Sequence, residues 1–219
     1  MSSNAWDERA ELYRTSPTHA SGEDLDAVVE LCEPGQGVKI LDVATGGGHV
    51  ARRLREEGAQ VVTCDAAPGM RPDVVTTAEH LPFADGSFDV VVTRIAAHHF
   101  DDLGAAVSEM IRVSNSVLVV EDMLYRSEEE HQAELLRDPT HRRSLTADEW
   151  RELLVDAGLE IEQELYFAKV HDMNEWLART GCTGDDAIRV RELLAPLSSA
   201  DGSTWSNDYI VIKARRSQG

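Results

Sequence analysis

The chain has 219 residues, of which 42% are hydrophobic, so it is long enough and apolar enough for one domain with a full core. Its formal net charge of −19 argues against a nucleic-acid partner and against an anionic membrane surface, because both repel an acidic protein. No apolar run approaches the roughly 18 residues that span a bilayer, and the polar N-terminus does not resemble a signal peptide. We therefore expect a cytoplasmic protein without a nucleic-acid or membrane partner.

The first half of the chain alternates extended and helical patterns, as in a parallel sheet whose strands are joined by helices. Apolar residues at helical spacing predict helices over Glu23–Leu31 and residues 49–57, the second of which stops at Gly58. The fourth strand is apolar at nearly every position, which indicates burial on both faces of the sheet. The predicted strands of this half cover residues 38–43, 60–64, 74–77 and 88–93.

The second half of the chain continues the alternation. A capping box begins at Thr146 and starts a helix that ends before Gly158. The many charges of residues 128–137 predict an exposed helix. Further helices are predicted over residues 103–113, 174–179 and 185–194, and further strands over residues 117–120, 159–167 and 209–214. The two halves together predict one α/β domain over residues 1–219, built on a doubly wound sheet.

Three consecutive glycines, Gly46, Gly47 and Gly48, connect the first strand to a helix. Such a turn lets a ligand approach the backbone, and the first turn of the helix offers free N–H groups. Asp65 ends the second strand, 23 positions after Asp42, which is the length of one strand–helix–strand unit. An acidic side chain there can hold two ribose hydroxyls. The pattern predicts a nucleotide-type pocket, although a tight turn followed by a surface aspartate would share it.

A longer string extends this pattern. Residues 78–89 read Ala-Glu-His-Leu-Pro-Phe-Ala-Asp-Gly-Ser-Phe-Asp, after the strand and glycine loop of residues 38–48 and the strand of residues 61–65. Over roughly residues 10–165 the chain resembles the class I S-adenosylmethionine (SAM)-dependent methyltransferases, and within them the ubiquinone/menaquinone-biosynthesis type. The Leu-Pro-Phe and Gly-Ser-Phe-Asp parts are specific to this group, whereas the glycine loop alone is not.

The resemblance implies a Rossmann-like sheet of about seven strands whose last strand is antiparallel, with SAM across the carboxyl ends of the first strands. Residues 1–37 would cover the cofactor, and residues 128–200 would include insertions on the substrate side. The glycine loop would contact the methionine end of SAM, Asp65 the ribose, and the residues after the third strand the adenine. The residues implied for cofactor binding are Asp42, Ala44, Gly46, Gly48, Asp65, Ala66, Thr77, Ala78, Glu79 and Arg94, with Ile95 beside Arg94.

The chain departs from the family pattern at three places. Thr77 stands where the family usually has an aspartate that reads the adenine amino group, and a neutral hydroxyl is a weaker acceptor. Only the eight residues 66–73 separate the second strand from the third, whereas a parallel crossover usually needs a dozen or more. Residues 113–117 replace a longer loop before the fifth strand. We therefore expect a shortened crossover after the second strand.

A shortened crossover would leave apolar surface open at that edge of the sheet, because parallel strands are apolar on both faces. We expect either the N-terminal segment around residues 6–13 or a second subunit of a homodimer to cover it.

Histidines follow the fourth strand, at the edge of the sheet where ligands bind. His98 or His99 could take a proton from a substrate hydroxyl or an acidic carbon, or one could pack under the next helix while the other is solvated. His141 and Arg142 lie after the fifth strand and could bind an anionic or phenolic group, or form only a charged loop. The three histidines lack a ligand spacing known for metals, so we expect no metal.

These patterns predict SAM-dependent methyl transfer to a small molecule with an oxygen, carbon or nitrogen nucleophile, with His98, His99 and His141 as candidate catalytic residues. The cofactor is already activated, so the protein has chiefly to align the reactants and exclude water. The alternative is a methyltransferase-fold protein without methyl transfer, such as a cyclase, a lyase or a non-catalytic binding partner, since fold alone does not determine function.

Overall fold

A computed structural model describes residues 3–216, except the side chains of residues 3–5, 17 and 18. Its seven strands form one sheet in the order β3-β2-β1-β4-β5-β7-β6. The strands β1 to β5 are parallel, and β7 runs antiparallel to both of its neighbours, β5 and β6. The strand bounds are β1 Lys39–Val43, β2 Gln60–Asp65, β3 Val74–Val75, β4 Phe88–Arg94, β5 Ser114–Met123, β6 Leu159–Asp172 and β7 Thr204–Arg216. The predicted sheet with its antiparallel last strand is confirmed.

Helices cover both faces of the sheet. The side chains of β4 alternate between the two cores: Val91 packs in one apolar cluster with α5 and α7, and Val90 and Val92 pack in the other with α3 and α4. This alternation explains why the strand is apolar at almost every position. The helix bounds are α1 Ser3–Arg14, α2 Pro17–Ala20, α3 Glu23–Leu31, α4 His49–Glu56, α5 Leu103–Val113, α6 Glu128–Arg137, α7 Ala147–Asp156, α8 Met173–Thr180 and α9 Gly184–Leu194. No helix of residues 3–216 is long and apolar enough to cross a membrane.

Helix α6 is half hidden, so the prediction that it is exposed is wrong. It packs with α8 and α9 in a third apolar cluster that contains Ala133 and Trp205. Glu130 and Glu134 are buried with it, and each is paired with an arginine: Arg126 Nε lies 2.8 Å from Glu130, and Arg137 Nη1 lies 3.2 Å from Glu134. Pairing lets charged residues occupy a buried face, which a count of charges cannot reveal.

Four strands differ in length from their sequence patterns. No loop precedes β5, because α5 ends at Val113 and the strand begins at Ser114, where residues 113–117 predicted a short loop. Strands β6 and β7 run past their predicted ends because they pair with each other along almost their whole length. The backbone hydrogen bonds of that antiparallel pair do not depend on an apolar pattern, and β6 alternates between partly buried and exposed side chains. By contrast, β3 is reduced to Val74–Val75.

The shortened crossover after β2 is confirmed, and α1 covers it. Residues 66–73 contain only a single 3₁₀ turn, Pro68–Met70. Asp7 of α1 accepts a hydrogen bond of 2.5 Å from Gly69 N, and Arg14 Nη1 donates one of 2.6 Å to Gly69 O. The apolar contact is made by Ala10, Ala67 and Met70, with Trp6 and Tyr13 packed against them. The N-terminal segment therefore covers this edge, as predicted, and the homodimer stays a prediction.

Candidate active site

A cavity of about 270 Å³ opens at the carboxyl ends of the strands. It lies where the chain order reverses between β1 and β4, the position at which open α/β sheets bind ligands. The ends of β1, β2 and β4 line it, together with Trp6 and Tyr13 of α1 and residues of α6, β6 and α8. The cavity is therefore lined both by the ends of the parallel strands and by helices that pack over them.

The glycine loop after β1 is held in a conformation that favours glycine. Gly46 and Gly48 have φ angles of +52° and +72°, and Ala44 has φ +55°. A side chain on Gly47 would meet the carbonyl oxygen of Tyr13 and Nε2 of His49, both at 2.7 Å. Ala44, Gly46 and Gly47 line the cavity, whereas Gly48 caps α4 and lies outside the lining. The loop thus brings bare backbone to the cavity wall.

Asp65 joins this loop to the end of β2. Gly46 N donates to its Oδ2 and Ala67 N donates to its Oδ1, each at 2.9 Å. Burial raises the pKa of Asp65, and the hydrogen bonds from the backbone oppose that shift. Each carboxylate oxygen accepts one bond from the protein and has a further lone pair for a ligand donor. Asp65 lines the cavity at the position predicted for the ribose acceptor.

Asp42 and Glu79 are two further acidic residues in the part of the cavity wall that contains Asp65. Burial raises the pKa of Asp42 to about 6, although Thr45 Oγ1 donates to its carboxylate at 2.6 Å. Glu79 Oε1 accepts a hydrogen bond of 3.0 Å from the backbone N of Asp101, so it orders the segment after β4. Both residues line the cavity. We call Asp42, Asp65 and Glu79 the acidic end.

The other residues implied for the cofactor also line the cavity, but with different surroundings. Ile95 has φ +52°, an unfavourable conformation for a branched side chain, which marks this segment as held by its surroundings. The guanidinium of Arg94 donates hydrogen bonds to three protein groups: Asp24, Glu121 Oε2 at 2.5 Å and the carbonyl of His19. The members of this set in the cavity wall are Ala66, Thr77, Ala78, Glu79, Arg94 and Ile95.

Arg94 belongs to a buried group of four charges that the sequence did not suggest. Lys169 Nζ lies 2.5 Å from Asp24 and 3.5 Å from Glu121, so two cations and two carboxylates neutralise one another. Burial alone would raise the pKa of Asp24, but Arg94 and Lys169 lower it to about 2. Burial raises that of Glu121 to about 7 in spite of the same cations. The group ties α3, β4, β5 and β6 together at the cavity wall, which Arg94 and Lys169 line.

His98 is oriented by Asp122, a partner that sequence reasoning missed. His98 Nδ1 lies 2.5 Å from Asp122 Oδ1, and the backbone N of His98 donates to Oδ2 at 2.7 Å. Burial lowers the pKa of His98, but the charge and hydrogen bond of Asp122 outweigh it, so the pKa is raised. No described residue hydrogen-bonds Nε2 of His98, and His98 lines the cavity. The acidic pair Glu121-Asp122 directly after the apolar run 117–120 was the available signal.

His99 lies beside His98, but its pKa is lowered whereas that of His98 is raised. Their ring centroids are 4.1 Å apart, and His99 Nδ1 is 3.2 Å from Thr140 Oγ1. Burial and the neighbouring His98 hold the pKa of His99 well below its usual range. The ring also meets Trp6 of α1 edge-on at 4.7 Å. His99 thus contributes a neutral ring to the cavity wall.

His141 and Arg142 are not brought to the cavity. His141 lies behind His98, where it lines a separate space of about 10 Å³ with His131, and burial lowers its pKa to about 2. Arg142 is exposed and donates to Asp101 at 3.0 Å. Within residues 3–216, no group of three or more histidine, cysteine, aspartate or glutamate side chains is arranged to hold a metal ion.

Part of the cavity wall is formed by residues that no motif predicted. Arg137 of α6, His171 of β6 and Arg179 of α8 line it, beside Trp176. Trp176 packs against Trp205 with ring centroids 4.4 Å apart, which fixes the position of this wall. We call Arg137 and Arg179 the basic wall.

The strand order, the glycine loop and the acid that ends β2 define a Rossmann-like protein of the methyltransferase fold. Residues 41–117 match the family model described as "Methyltransferase domain", and the chain belongs to that family. This family assignment confirms the resemblance drawn from residues 38–89.

Three individual proteins are similar to the chain. The uncharacterized methyltransferase YcgJ of Bacillus subtilis is 29% identical over 87% of this chain and 83% of its own length. A demethylmenaquinone methyltransferase of Beutenbergia cavernae is 40% identical over 36% of this chain and 37% of its own. A crystal structure of a methyltransferase candidate from Bacillus halodurans superimposes with a TM-score of 0.80 at 27% identity, over 90% of this chain and all of that one.

Proposed function

We propose that this chain is a cytoplasmic enzyme that transfers a methyl group from SAM to an oxygen, carbon or nitrogen atom of a small molecule. The observation that carries the proposal is the carboxylate of Asp65, which is half-buried at the end of β2 and fixed by Gly46 and Ala67 beside the cavity. An acid in that place is suited to two adjacent ribose hydroxyls.

The residues present fit the chemistry of SAM. The acidic end offers oxygen acceptors to hydroxyl and ammonium groups, and the bare backbone of Gly46 and Gly47 permits close approach. Acidic side chains also favour a ligand that carries a sulfonium cation. Thr77 provides a neutral hydroxyl near the predicted adenine edge.

When bound, SAM supplies an activated methyl group. The residues of this chain would orient the acceptor, keep water out and take one proton from the acceptor. Trp6 and Tyr13 place aromatic surface from α1 over the cavity and so limit its contact with solvent. His98 has its Nδ1 proton directed at Asp122, which makes Nε2 the atom that can take a proton from the acceptor.

Calorimetric titration with SAM and with its demethylated product tests the proposal. We expect wild-type protein to bind both, and Asp65→Ala to weaken binding by about 1–3 kcal/mol, or roughly 5- to 150-fold, because a charge-assisted hydrogen bond is lost. Asp156→Ala, an exposed aspartate at the end of α7, is the matched control and should bind as wild type does.

Failure of wild-type protein to bind either compound would overturn the proposal and favour a methyltransferase-fold protein without methyl transfer. Unchanged affinity in a folded Asp65→Ala variant would remove Asp65 from the ribose site.

A further inference from the structure

The basic wall concentrates positive charge in a protein that is strongly acidic overall. The chain has 21 lysines and arginines against 40 aspartates and glutamates, yet Arg137 and Arg179 both line the cavity. They come from different helices, α6 and α8. Two positive charges that lie close together in a partly buried place repel each other, so this arrangement destabilises the protein unless a ligand or another group compensates it.

Arg137 is held rigidly, with part of its guanidinium left over. Its Nε donates to the carbonyl of Trp176 at 3.1 Å, its Nη1 lies 3.2 Å from Glu134, and the guanidinium carbon stands 4.0 Å above the Trp176 ring. No described residue hydrogen-bonds Nη2. A planar guanidinium fixed by stacking and two hydrogen bonds is pre-organised to bind an oxyanion with its remaining donors.

Arg179 stands close enough to Arg137 for the two charges to interact. Burial, and then the positive charge of Arg137, lower the pKa of Arg179. Its positive charge also opposes protonation of His19 and His171, two more residues of the cavity wall. Glu134 pairs with Arg137, and Asp138, which also lines the cavity, pairs with Arg9. An anion between Arg137 and Arg179 would add a counter-charge for both arginines.

His171 provides a further polar atom in this wall. Its Nε2 lies 2.9 Å from Asn207 Oδ1, while its Nδ1 is buried and has no hydrogen-bond partner among the described residues. Burial lowers the pKa of His171 to about 4, so the ring is neutral at pH 7. A buried polar atom without a partner is unusual in a folded protein. Together with the arginines it marks this wall as built for a polar ligand group.

We propose that the basic wall binds an anionic oxygen group, a carboxylate or a phosphate, of the methyl acceptor. The inference rests on the proposed methyl transfer and names the class of its substrate. The acidic end repels such a group and the basic wall attracts it, so the acceptor would enter with its anion toward α6 and α8. Its nucleophile would then point toward His98 and the glycine loop.

Small anions test the proposal without knowledge of the acceptor. Protein saturated with demethylated SAM is titrated with acetate, with inorganic phosphate and with neutral acetamide at constant ionic strength, and the side-chain N–H signals of the arginines are followed by NMR. We expect saturable binding of an anion at about millimolar concentration and none of acetamide. The anion that binds more tightly indicates whether carboxylate or phosphate is the natural group.

Variants of single arginines test whether the anion binds at the basic wall. Arg179→Gln should weaken anion binding by about tenfold or more, because a charged donor is lost. Arg137→Lys keeps the charge but loses the planar fork, and should also weaken binding. Arg189→Gln on α9 removes an exposed arginine that pairs with Glu192 outside the cavity, and should leave binding unchanged.

Equal signals with acetate, phosphate and acetamide, or full anion affinity in both Arg179→Gln and Arg137→Lys, would overturn the proposal. The outcome is separable from that of the proposed function. Protein that binds SAM but shows no anion preference contradicts only the acceptor class. Protein that binds anions at the basic wall but never binds SAM contradicts methyl transfer itself.

Discussion

The two ends of the cavity are built in different ways. The acidic end is formed by Asp42, Asp65 and Glu79, of which the first two lie at the carboxyl ends of neighbouring parallel strands beside the glycine loop. The basic wall is formed by Arg137 and Arg179, which are separated along the chain and meet because α6 and α8 pack in one cluster. A motif can therefore identify one end of a ligand site while the other depends on tertiary packing.

The two ends of the cavity would also have different roles, cofactor binding at the acidic end and acceptor selection at the basic wall. At the acidic end, the carboxylates and the adjoining glycine loop would bind SAM, whose chemistry is constant. Side-chain charge dominates the basic wall, where Arg137 and Arg179 would select an acceptor. Variants at the first end should affect cofactor binding, and those at the second should affect anion binding. Loss of both properties from a single variant would contradict this division.

Gly46→Val is expected to have the largest effect. Gly46 has φ +52° and faces the cavity, so a branched side chain there is strained and occupies ligand space. We expect SAM affinity to fall by about 100-fold or more while the circular dichroism spectrum stays close to wild type.

Gly86→Val is the control for strain alone. Gly86 has φ +62°, and a Cβ there would meet nothing within 4 Å. If Gly86→Val loses SAM binding as completely as Gly46→Val does, backbone strain rather than ligand contact explains the loss.

Asp122→Asn should change how His98 titrates. The raised pKa of His98 depends on the charge of Asp122, which outweighs the effect of burial. Wild-type His98 should therefore take up a proton with a midpoint above 6.5, and Asp122→Asn should move that midpoint below 6.5. Histidine NMR titration measures both values, with His98→Gln used to assign the signal. A midpoint that does not move would show that Asp122 only positions the backbone of His98.

A smaller effect is expected at Thr77. Thr77→Asp replaces a neutral hydroxyl in the cavity wall by a carboxylate, which accepts a stronger hydrogen bond from an amino group. We expect SAM to bind about two- to tenfold more tightly. Thr77→Val should weaken binding slightly, since the hydroxyl is lost and the shape is kept. Tighter binding by Thr77→Val than by Thr77→Asp would place the adenine amino group elsewhere.

Much of the fold and of the acidic end could be predicted because both depend on short stretches of chain. The apolar strands 88–93 and 117–120, the stop at Gly58 and the capping box at Thr146 each carry a local physical signal. The position of Asp65 follows from the length of one strand–helix–strand unit.

The basic wall and the orientation of His98 could not be predicted in the same way. Lys169 and His171 lie on the part of β6 that continues past its apolar pattern, where pairing with β7 rather than side-chain periodicity sets the strand. Asp122 is 24 positions from His98 and reaches it only because β4 and β5 are neighbours. Arg137 was assigned to an exposed face because its pairing with Glu134 is a property of the folded chain.

A crystal structure of the protein with demethylated SAM tests the central claim most directly. We expect both ribose hydroxyls within about 2.6–3.2 Å of the Asp65 carboxylate, with the amino-acid end of the ligand against the glycine loop. The basic wall should remain free of the ligand. A well-ordered ligand whose ribose lies away from Asp65, or one seated on Arg137 and Arg179, would contradict the assignment of the two ends.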